Sequence, residues 1–120
     1  MSRITILTGM ALAAALAGCA STASTEFAAE ARKPNAAEVT SIFRGHTFTL
    51  DQTKVVYGPA NEVAAFFGGR SDTGTWTAED GRICFSFKVI PSACNEVRMV
   101  GQDIFLKRSN GRVSQLKPAG

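Results

Sequence analysis

One stretch of the chain carries apolar residues at helical spacing. Asn35, with Glu38 three residues later, has the form of a capping box that starts a helix. Gly45 stands where such a helix would end. The residues that share one helical face are Val39, Ile42 and Phe43. We therefore predict one short helix ahead of the main part of the domain.

After Gly45 the pattern changes to short apolar runs separated by Gly, Pro, Asn and Asp. His46–Leu50 alternates, with Phe48 and Leu50 on one side, and Lys54–Tyr57 is a second run. The third run, Val63–Phe67, is compatible with a buried strand or with a helical turn, because periodicity cannot separate the two at that length. The pattern as a whole predicts an antiparallel sheet.

Two hairpin signals mark the C-terminal half. Asp80-Gly81 and Asn110-Gly111 are residue pairs that tolerate positive φ, as a type I′ turn requires. The predicted strand pairs are Thr75–Ala78 with Arg82–Val89, and Ile104–Arg108 with Arg112–Leu116. The predicted core face of the longest strand carries Ile83, Phe85, Phe87 and Val89. The fold class expected is mainly β, a small antiparallel meander sheet or partly open barrel with one short N-terminal helix.

The first 18 residues have the three parts of an export signal. A positive charge at Arg3 precedes an apolar run, Ile4–Ala17, and small residues follow. The run is shorter than the roughly 20 residues that span a bilayer. We predict a signal peptide over residues 1–18.

Leu16-Ala17-Gly18-Cys19, at the end of that signal, resembles the lipobox of bacterial lipoproteins. The resemblance implies cleavage before Cys19 and lipidation of its thiol, with the membrane as a partner through the anchor. Two or three acyl chains on one residue make release negligible. Ala20, rather than Asp, follows the cysteine, which in this family implies sorting to the outer membrane, with the domain facing the periplasm or the cell surface.

Residues 19–35 are rich in Ala, Ser, Thr and Glu, and we predict that they form a flexible tether, with the β-rich domain over residues 36–120. The formal net charge is only +3, and the basic residues are scattered. A nucleic-acid partner is therefore not expected, because phosphate binding needs a clustered basic patch.

The chain has three cysteines. With Cys19 assigned to lipid, Cys84 and Cys94 remain in an oxidising compartment and should be bonded. A hairpin that turns around Val89 to Ser92 would place them opposite each other. The alternative, a metal pair with His46 as a third ligand, is disfavoured because a zinc site would still lack a fourth ligand.

Residues that could carry catalysis have simpler interpretations. His46 is the only histidine and no nucleophile elbow is present. Asp72 and Glu79-Asp80 could in principle act as paired carboxylates, but they coincide with turn signals. Trp76 could stack on a ligand, although a core position is favoured. We predict no enzyme activity, no catalytic residues, no metal and no cofactor.

The chain from Gly45 onward resembles small exported proteins of Gram-negative bacteria grouped as the domain of unknown function 995. The matching pieces are Gly45-x-Thr47, Tyr57, Gly74-Thr75-Trp76, Gly81-Arg82-Ile83-Cys84-Phe85, Cys94 and Val97. That resemblance implies the sheet and the disulfide, and no activity.

The leading hypothesis is a membrane-anchored envelope lipoprotein with a non-catalytic binding or structural role, whose partner is an envelope protein or a small apolar ligand. One alternative is a lipocalin-like carrier of a small apolar ligand. The residues expected to line its cavity are Phe66, Phe67, Phe85 and Phe87. The other is an inhibitor of an envelope-attacking enzyme, with a rigid tip at Asp51–Lys54 or Gly68–Gly74.

Overall fold

The computed structural model describes residues 25–119, which form one helix and eight strands. The elements are α1 (Ala36–Phe43), β1 (Thr47–Leu50), β2 (Thr53–Tyr57), β3 (Glu62–Phe67), β4 (Arg70–Glu79), β5 (Arg82–Phe87), β6 (Ala93–Val100), β7 (Asp103–Lys107) and β8 (Val113–Pro118). Cys19 and the predicted signal peptide lie outside the described residues.

Each strand pairs antiparallel with the next one along the chain, and the sheet closes on itself as a barrel. Closure comes from β1 and β8, where Phe48 pairs with Pro118 and Thr49 with Lys117. The predicted fold class, mainly β and antiparallel with one short helix and one disulfide, is confirmed. Closure leaves no long unpaired edge in a sheet of otherwise short strands.

The helix starts as the sequence predicts. The Asn35 side chain accepts a hydrogen bond from the Glu38 backbone N–H at 2.9 Å, and the Glu38 carboxylate accepts one from the Asn35 N–H at 3.4 Å. The turn between β4 and β5 adds a third partner, because the Asp80 carboxylate accepts from the Ala36 N–H at 2.7 Å. Three of the N–H groups at the helix start are therefore satisfied.

The run Val63–Phe67 is a strand, part of β3, and not a helical turn. Alternation along it sends Val63 and Ala65 inward, while Phe66 is 45% exposed on the outer face. The same alternation on the other strands fills the barrel with one apolar core. Its buried members are Val39, Phe43, Phe48, Leu50, Tyr57, Val63, Trp76, Ile83, Val97, Leu106 and Leu116.

Both predicted hairpins form, but their turns differ from the predicted type. β4 pairs with β5 and β7 with β8 in the expected registers. Gly81 and Gly111 have φ of 62° and 84°, whereas Asp80 and Asn110 do not have positive φ. A type I′ turn needs positive φ at both central residues, so that prediction is wrong.

Val89 was expected in the core and is instead 82% exposed. The reason is that β5 ends at Phe87 and the following backbone turns toward β4. There the N–H groups of Lys88, Val89 and Ile90 donate to the Asp72 carboxylate. The inward and outward alternation of the strand therefore stops before it reaches Val89.

The end of the segment predicted as a tether lies against the barrel. Arg32 forms a two-way backbone bridge with Met99 of β6, with N···O distances of 2.7 and 2.9 Å. Pro34 is buried, and its carbonyl accepts from the Gly81 N–H at 2.7 Å. Residues 32–34 are therefore part of the folded unit and not a free linker. Within residues 25–119, no helix is long and apolar enough to cross a bilayer.

Candidate ligand cavity

One end of the barrel is closed by α1. Val39 and Phe43 have no exposed surface, and the Phe43 ring packs edge-on against Phe48 and Tyr57, at centroid distances of 5.4 and 4.9 Å. The Trp76 ring packs against the same group of aromatic side chains, with its centroid 5.7 Å from that of the Tyr57 ring. Trp76 is thus a core residue, as favoured by its position in a strand, and not an exposed platform for a ligand.

The other end of the barrel contains a cavity of about 300 Å³. It lies beneath the turns that join β1 to β2, β3 to β4, β5 to β6 and β7 to β8, which we call the mouth. Its lining is mostly apolar. The lining residues are Leu50, Thr53, Val55, Tyr57, Ala65, Phe67, Phe85, Phe87, Ile90, Asn95, Leu106, Arg108 and Leu116.

Three of the four phenylalanines predicted to line a cavity do so. Phe67, Phe85 and Phe87 border the space, and the Phe85 and Phe87 rings are 5.4 Å apart. Phe66 does not, because consecutive residues of a strand face opposite sides and Phe67 takes the inward position. The small side chain of Ala65 on the same strand leaves room inside the barrel.

Four lining residues carry polar groups: Thr53, Tyr57, Asn95 and Arg108. Burial raises the pKa of the Tyr57 hydroxyl above its ordinary value of 10.0, so this group stays neutral. Asn95 is 6% exposed. Arg108 stands at the mouth, where its guanidinium donates to the Asp51 carboxylate at 2.9 Å.

Asp72 shapes the mouth from within the wall. Its carboxylate is buried and accepts from the N–H groups of Val89 and Ile90 at 2.8 and 2.7 Å, and from those of Lys88 and Thr73 at 3.3 and 2.8 Å. These bonds hold the loop between β5 and β6, which places Ile90 on the cavity. The sequence predicts a turn role for Asp72, and in the structure Asp72 holds the turn between β5 and β6 by these hydrogen bonds.

The structure separates the carboxylates that could have acted together. Asp72 pairs with Ala65 near the mouth, whereas Glu79 pairs with Arg82 at the helix-covered end. Seven residues along a strand amount to roughly 23 Å. Asp72 and Glu79 therefore do not form the paired acid and base of a glycosidase.

Cys84 and Cys94 are directly opposite each other on β5 and β6 and form a disulfide, as predicted. Among the described residues, the group with metal-ligand spacing near the pair is Glu79, Cys84 and Cys94, and it does not include His46. Because the two sulfurs are bonded to each other, they are not free thiolate ligands. His46 lies at the start of β1, beside Phe48.

The loops suggested as an inhibitory tip are short. Leu50 pairs with Thr53, and Phe67 pairs with Arg70, so each turn has two residues between paired strands. Half of Asp51–Lys54 and most of Gly68–Gly74 lie within the strands of the barrel wall. The exposed part of each suggested loop is therefore a two-residue hairpin turn.

Two of the polar residues on the cavity, Asn95 and Arg108, were not predicted from the sequence. The available signal was a polar residue at an inward position of an otherwise alternating strand, since Asn95 is two residues from Val97. For Arg108 the signal is weaker, because it follows the last residue of β7. Comparisons of the chain with models of protein families, with curated proteins and with solved structures found no match.

Proposed function

We propose that this chain is a membrane-anchored envelope lipoprotein whose barrel binds a small apolar molecule. The observation that carries the proposal is the cavity of about 300 Å³ beneath the mouth, lined by aromatic and branched side chains. Ligand pockets in proteins are of about 300 to 1,000 Å³ and are mostly apolar with a few placed polar groups. This cavity fits that description at its small end.

The volume limits the ligand. At roughly 30 Å³ for each water-sized group, the cavity accommodates on the order of ten non-hydrogen atoms. A single short hydrocarbon chain or one substituted ring has this size. A diacyl lipid does not fit, so the proposed ligand is a small molecule and not a bilayer phospholipid.

The proposed role is non-catalytic. Within the described part of the chain, the cavity lining includes no carboxylate, imidazole or thiol, and its ionisable groups are the Tyr57 hydroxyl and the Arg108 guanidinium. Burial raises the pKa of Tyr57, so it is poorly suited to accept a proton. The lining therefore favours holding a molecule over transforming it.

The anchor is the second part of the proposal. Cys19, at the end of the lipobox-like Leu16-Ala17-Gly18-Cys19, would carry the acyl chains, and Ala20 favours the outer membrane. The residues after Cys19 would connect it to the barrel, whose described part begins at residue 25. This arrangement would keep a ligand-binding barrel concentrated at a membrane surface.

Binding in the cavity is tested with 1-octanol, a non-ionic probe of suitable size. Addition to the purified protein should shift the NMR methyl signals of Ala65 and Leu116, which line the cavity, and leave that of exposed Ala60 unchanged. Ala65→Leu should abolish the shifts by filling the space. Ala60→Leu makes the same chemical change outside the cavity and should bind like the unaltered protein. Unchanged cavity signals in a folded protein at saturating octanol would refute the proposed binding.

The anchor is tested separately by mass spectrometry of the N-terminal peptide from protein taken from cell membranes. The expected species begins at Cys19 and carries acyl chains, and Cys19→Ser should leave the protein unlipidated and released from the membrane fraction. A mature N-terminus downstream of Cys19 would show a plain secretory signal instead.

A further inference from the structure

We propose that the ligand of the cavity carries an anionic head group, as a short-chain carboxylate does, and that Arg108 and Asn95 hold this group at the mouth. The inference rests on the proposed function, because it names the class of molecule that the cavity would take. It depends on three observations: a partly free guanidinium, a buried amide and the sign of the charge around the mouth.

The guanidinium of Arg108 is the cationic group on the cavity lining. Its side chain is 31% exposed, so it stands between the cavity and solvent. A guanidinium has five N–H donors in a planar fork that matches a carboxylate. Within residues 25–119, Asp51 is the side chain that it contacts, through one N–H. Donors therefore remain for a second acceptor.

The amide of Asn95 is the second observation. Asn95 is buried on the inner face of β6 and lines the cavity, and its side chain forms no hydrogen bond with any residue in the described part of the chain. The amide atoms are not sealed off in the wall, since among the described residues the enclosed side-chain polar atom that lacks a hydrogen-bond partner is Trp76 Nε1. The Asn95 amide therefore borders the open space of the cavity, where it is available to a polar ligand atom.

The strand register places these two groups side by side. Val97 of β6 pairs with Leu106 of β7, and both face the core. The paired ladder ends at Glu96 with Lys107, and the next position along it on each chain segment is Asn95 and Arg108, on the same face as Val97 and Leu106. The amide N–H₂ and the guanidinium can therefore act on the two oxygens of one carboxylate, while the chain of the ligand lies among the aromatic side chains.

The charge around the mouth has the sign that an anion requires. Basic residues stand where four of the strands meet their turns, and the exposed acidic residue there is Asp51, which pairs with Arg108. Asp72 is buried and bound to backbone N–H groups. The basic residues at the mouth are Arg70, Lys88, Arg108 and Arg112. A cationic rim above an apolar cavity raises the local concentration of amphiphilic anions.

Asp51 does not block the site. Its side chain is 57% exposed, and exposed ion pairs of this kind contribute little because water screens them. A ligand carboxylate would share the guanidinium with Asp51 or displace it. A cationic head group would instead meet Arg108 directly and would be rejected.

The test compares three probes with the same eight-carbon chain: octanoate, 1-octanol and octylamine, titrated into the purified protein by calorimetry near neutral pH. Octanoate should bind about tenfold to a hundredfold more tightly than octanol, the range that one charge-assisted hydrogen bond contributes. Octylamine should bind more weakly than octanol. Arg108→Gln should reduce the affinity for octanoate to that for octanol. Asn95→Leu should lower the affinity for octanoate without lowering the affinity for octanol.

Arg112→Gln is the matched control, because Arg112 is a basic residue at the mouth that does not line the cavity. It should keep most of the preference for octanoate. Arg108→Lys keeps the charge and should retain part of the preference for octanoate. This result would show that the loss in Arg108→Gln comes from the missing charge and not from a folding defect.

The outcomes separate the two proposals. Equal binding of octanoate and octanol by the unaltered protein would overturn the head-group inference and leave the cavity proposal standing. Equal losses in Arg108→Gln and Arg112→Gln would overturn the assignment to Arg108. If none of the three probes binds, the proposed function itself fails, and the inference with it.

Discussion

Asp72 shows how one side chain organises a loop at the residue scale. Burial raises the pKa of this carboxyl, but the N–H groups of Ile90, Val89, Thr73 and Lys88 lower it further than burial raises it, so its pKa lies below the ordinary 3.8. The charged form is therefore the one that the fold stabilises. Because the loop that it holds carries Ile90 onto the cavity, the charge also shapes the mouth.

The stability that Asp72 contributes should depend on pH. A carboxyl whose pKa is lower in the folded state stabilises the fold above its unfolded pKa, here near 3.8, and loses this contribution as the pH falls through the folded value. Asp72→Asn should lower the melting temperature at pH 7 by several degrees and by progressively less at more acidic pH.

Thermal melts between pH 7 and pH 2 measure this difference. Asp103→Asn is the control, since Asp103 is exposed on β7, and it should melt like the unaltered protein throughout. A deficit in Asp72→Asn that stays constant with pH would contradict the role of the charge.

At the scale of elements, the hairpin of β5 and β6 is joined by a covalent bond. The disulfide links Cys84 to Cys94, ten residues apart. These residues stand opposite each other, so the bond closes the loop whose backbone Asp72 also holds. A barrel of this size has a small core, and a covalent link of this kind is a large part of its stability.

Replacing both cysteines, Cys84→Ala with Cys94→Ala, should destabilise the protein. Closing a loop of about ten residues contributes roughly 3 kcal/mol in the chain-entropy description, which corresponds to a fall of about 10 to 20 °C in the melting temperature. Reductant should lower the melting temperature of the unaltered protein to a similar extent and leave the double variant unchanged. Insensitivity of the unaltered protein to reductant would contradict this expectation.

The helix is the other element with a specific task, since α1 closes the end of the barrel away from the mouth. Phe43→Ala should cost about 3 to 5 kcal/mol, because it removes a fully buried ring that packs on Phe48 and Tyr57. Chemical denaturation measures the loss. Ile42→Ala, at a partly buried position of the same helix, should cost clearly less. Equal losses would show that α1 does not act as a plug through Phe43.

At the scale of the whole molecule, the folded unit includes residues that precede α1, in addition to the helix and the eight strands. Arg32 extends the sheet by a bridge to Met99, and Pro34 accepts a hydrogen bond from Gly81 at the turn between β4 and β5. The chain therefore enters the barrel along β6 before α1 begins. This entry fixes where a tether from Cys19 would meet the domain.

Hydrogen exchange followed by NMR tests this boundary. The amides of Arg32, Met99 and Gly81 should exchange slowly, because each donates a backbone hydrogen bond in this arrangement. The amide of Glu30, which has no such backbone bond within the described residues, should exchange fast. Fast exchange at Arg32 and Gly81 would show that residues 32–34 are not held against the barrel and belong to the tether.

The features that the sequence determined by itself are local ones. The Asn35 and Glu38 cap lies within one helical turn, the hairpin strands flank Asp80-Gly81 and Asn110-Gly111, and the spacing of the cysteines matches one hairpin. Each depends on residues a few positions apart, whose geometry is set by backbone preferences. The lipobox-like motif at Cys19 is also local, and it lies outside the described residues.

The tertiary structure alone decided what depends on distant residues. Closure pairs Phe48 with Pro118, and the cavity exists because side chains from all parts of the barrel leave a volume that no local pattern encodes. Val89 lies outside the core because its backbone N–H donates to the carboxylate of Asp72, 17 residues earlier in the chain. The neighbouring positions of Asn95 and Arg108 follow from a register between strands. The sequence thus specified the strands and the disulfide that links β5 to β6, while the packing of the strands produced the space that a ligand would occupy.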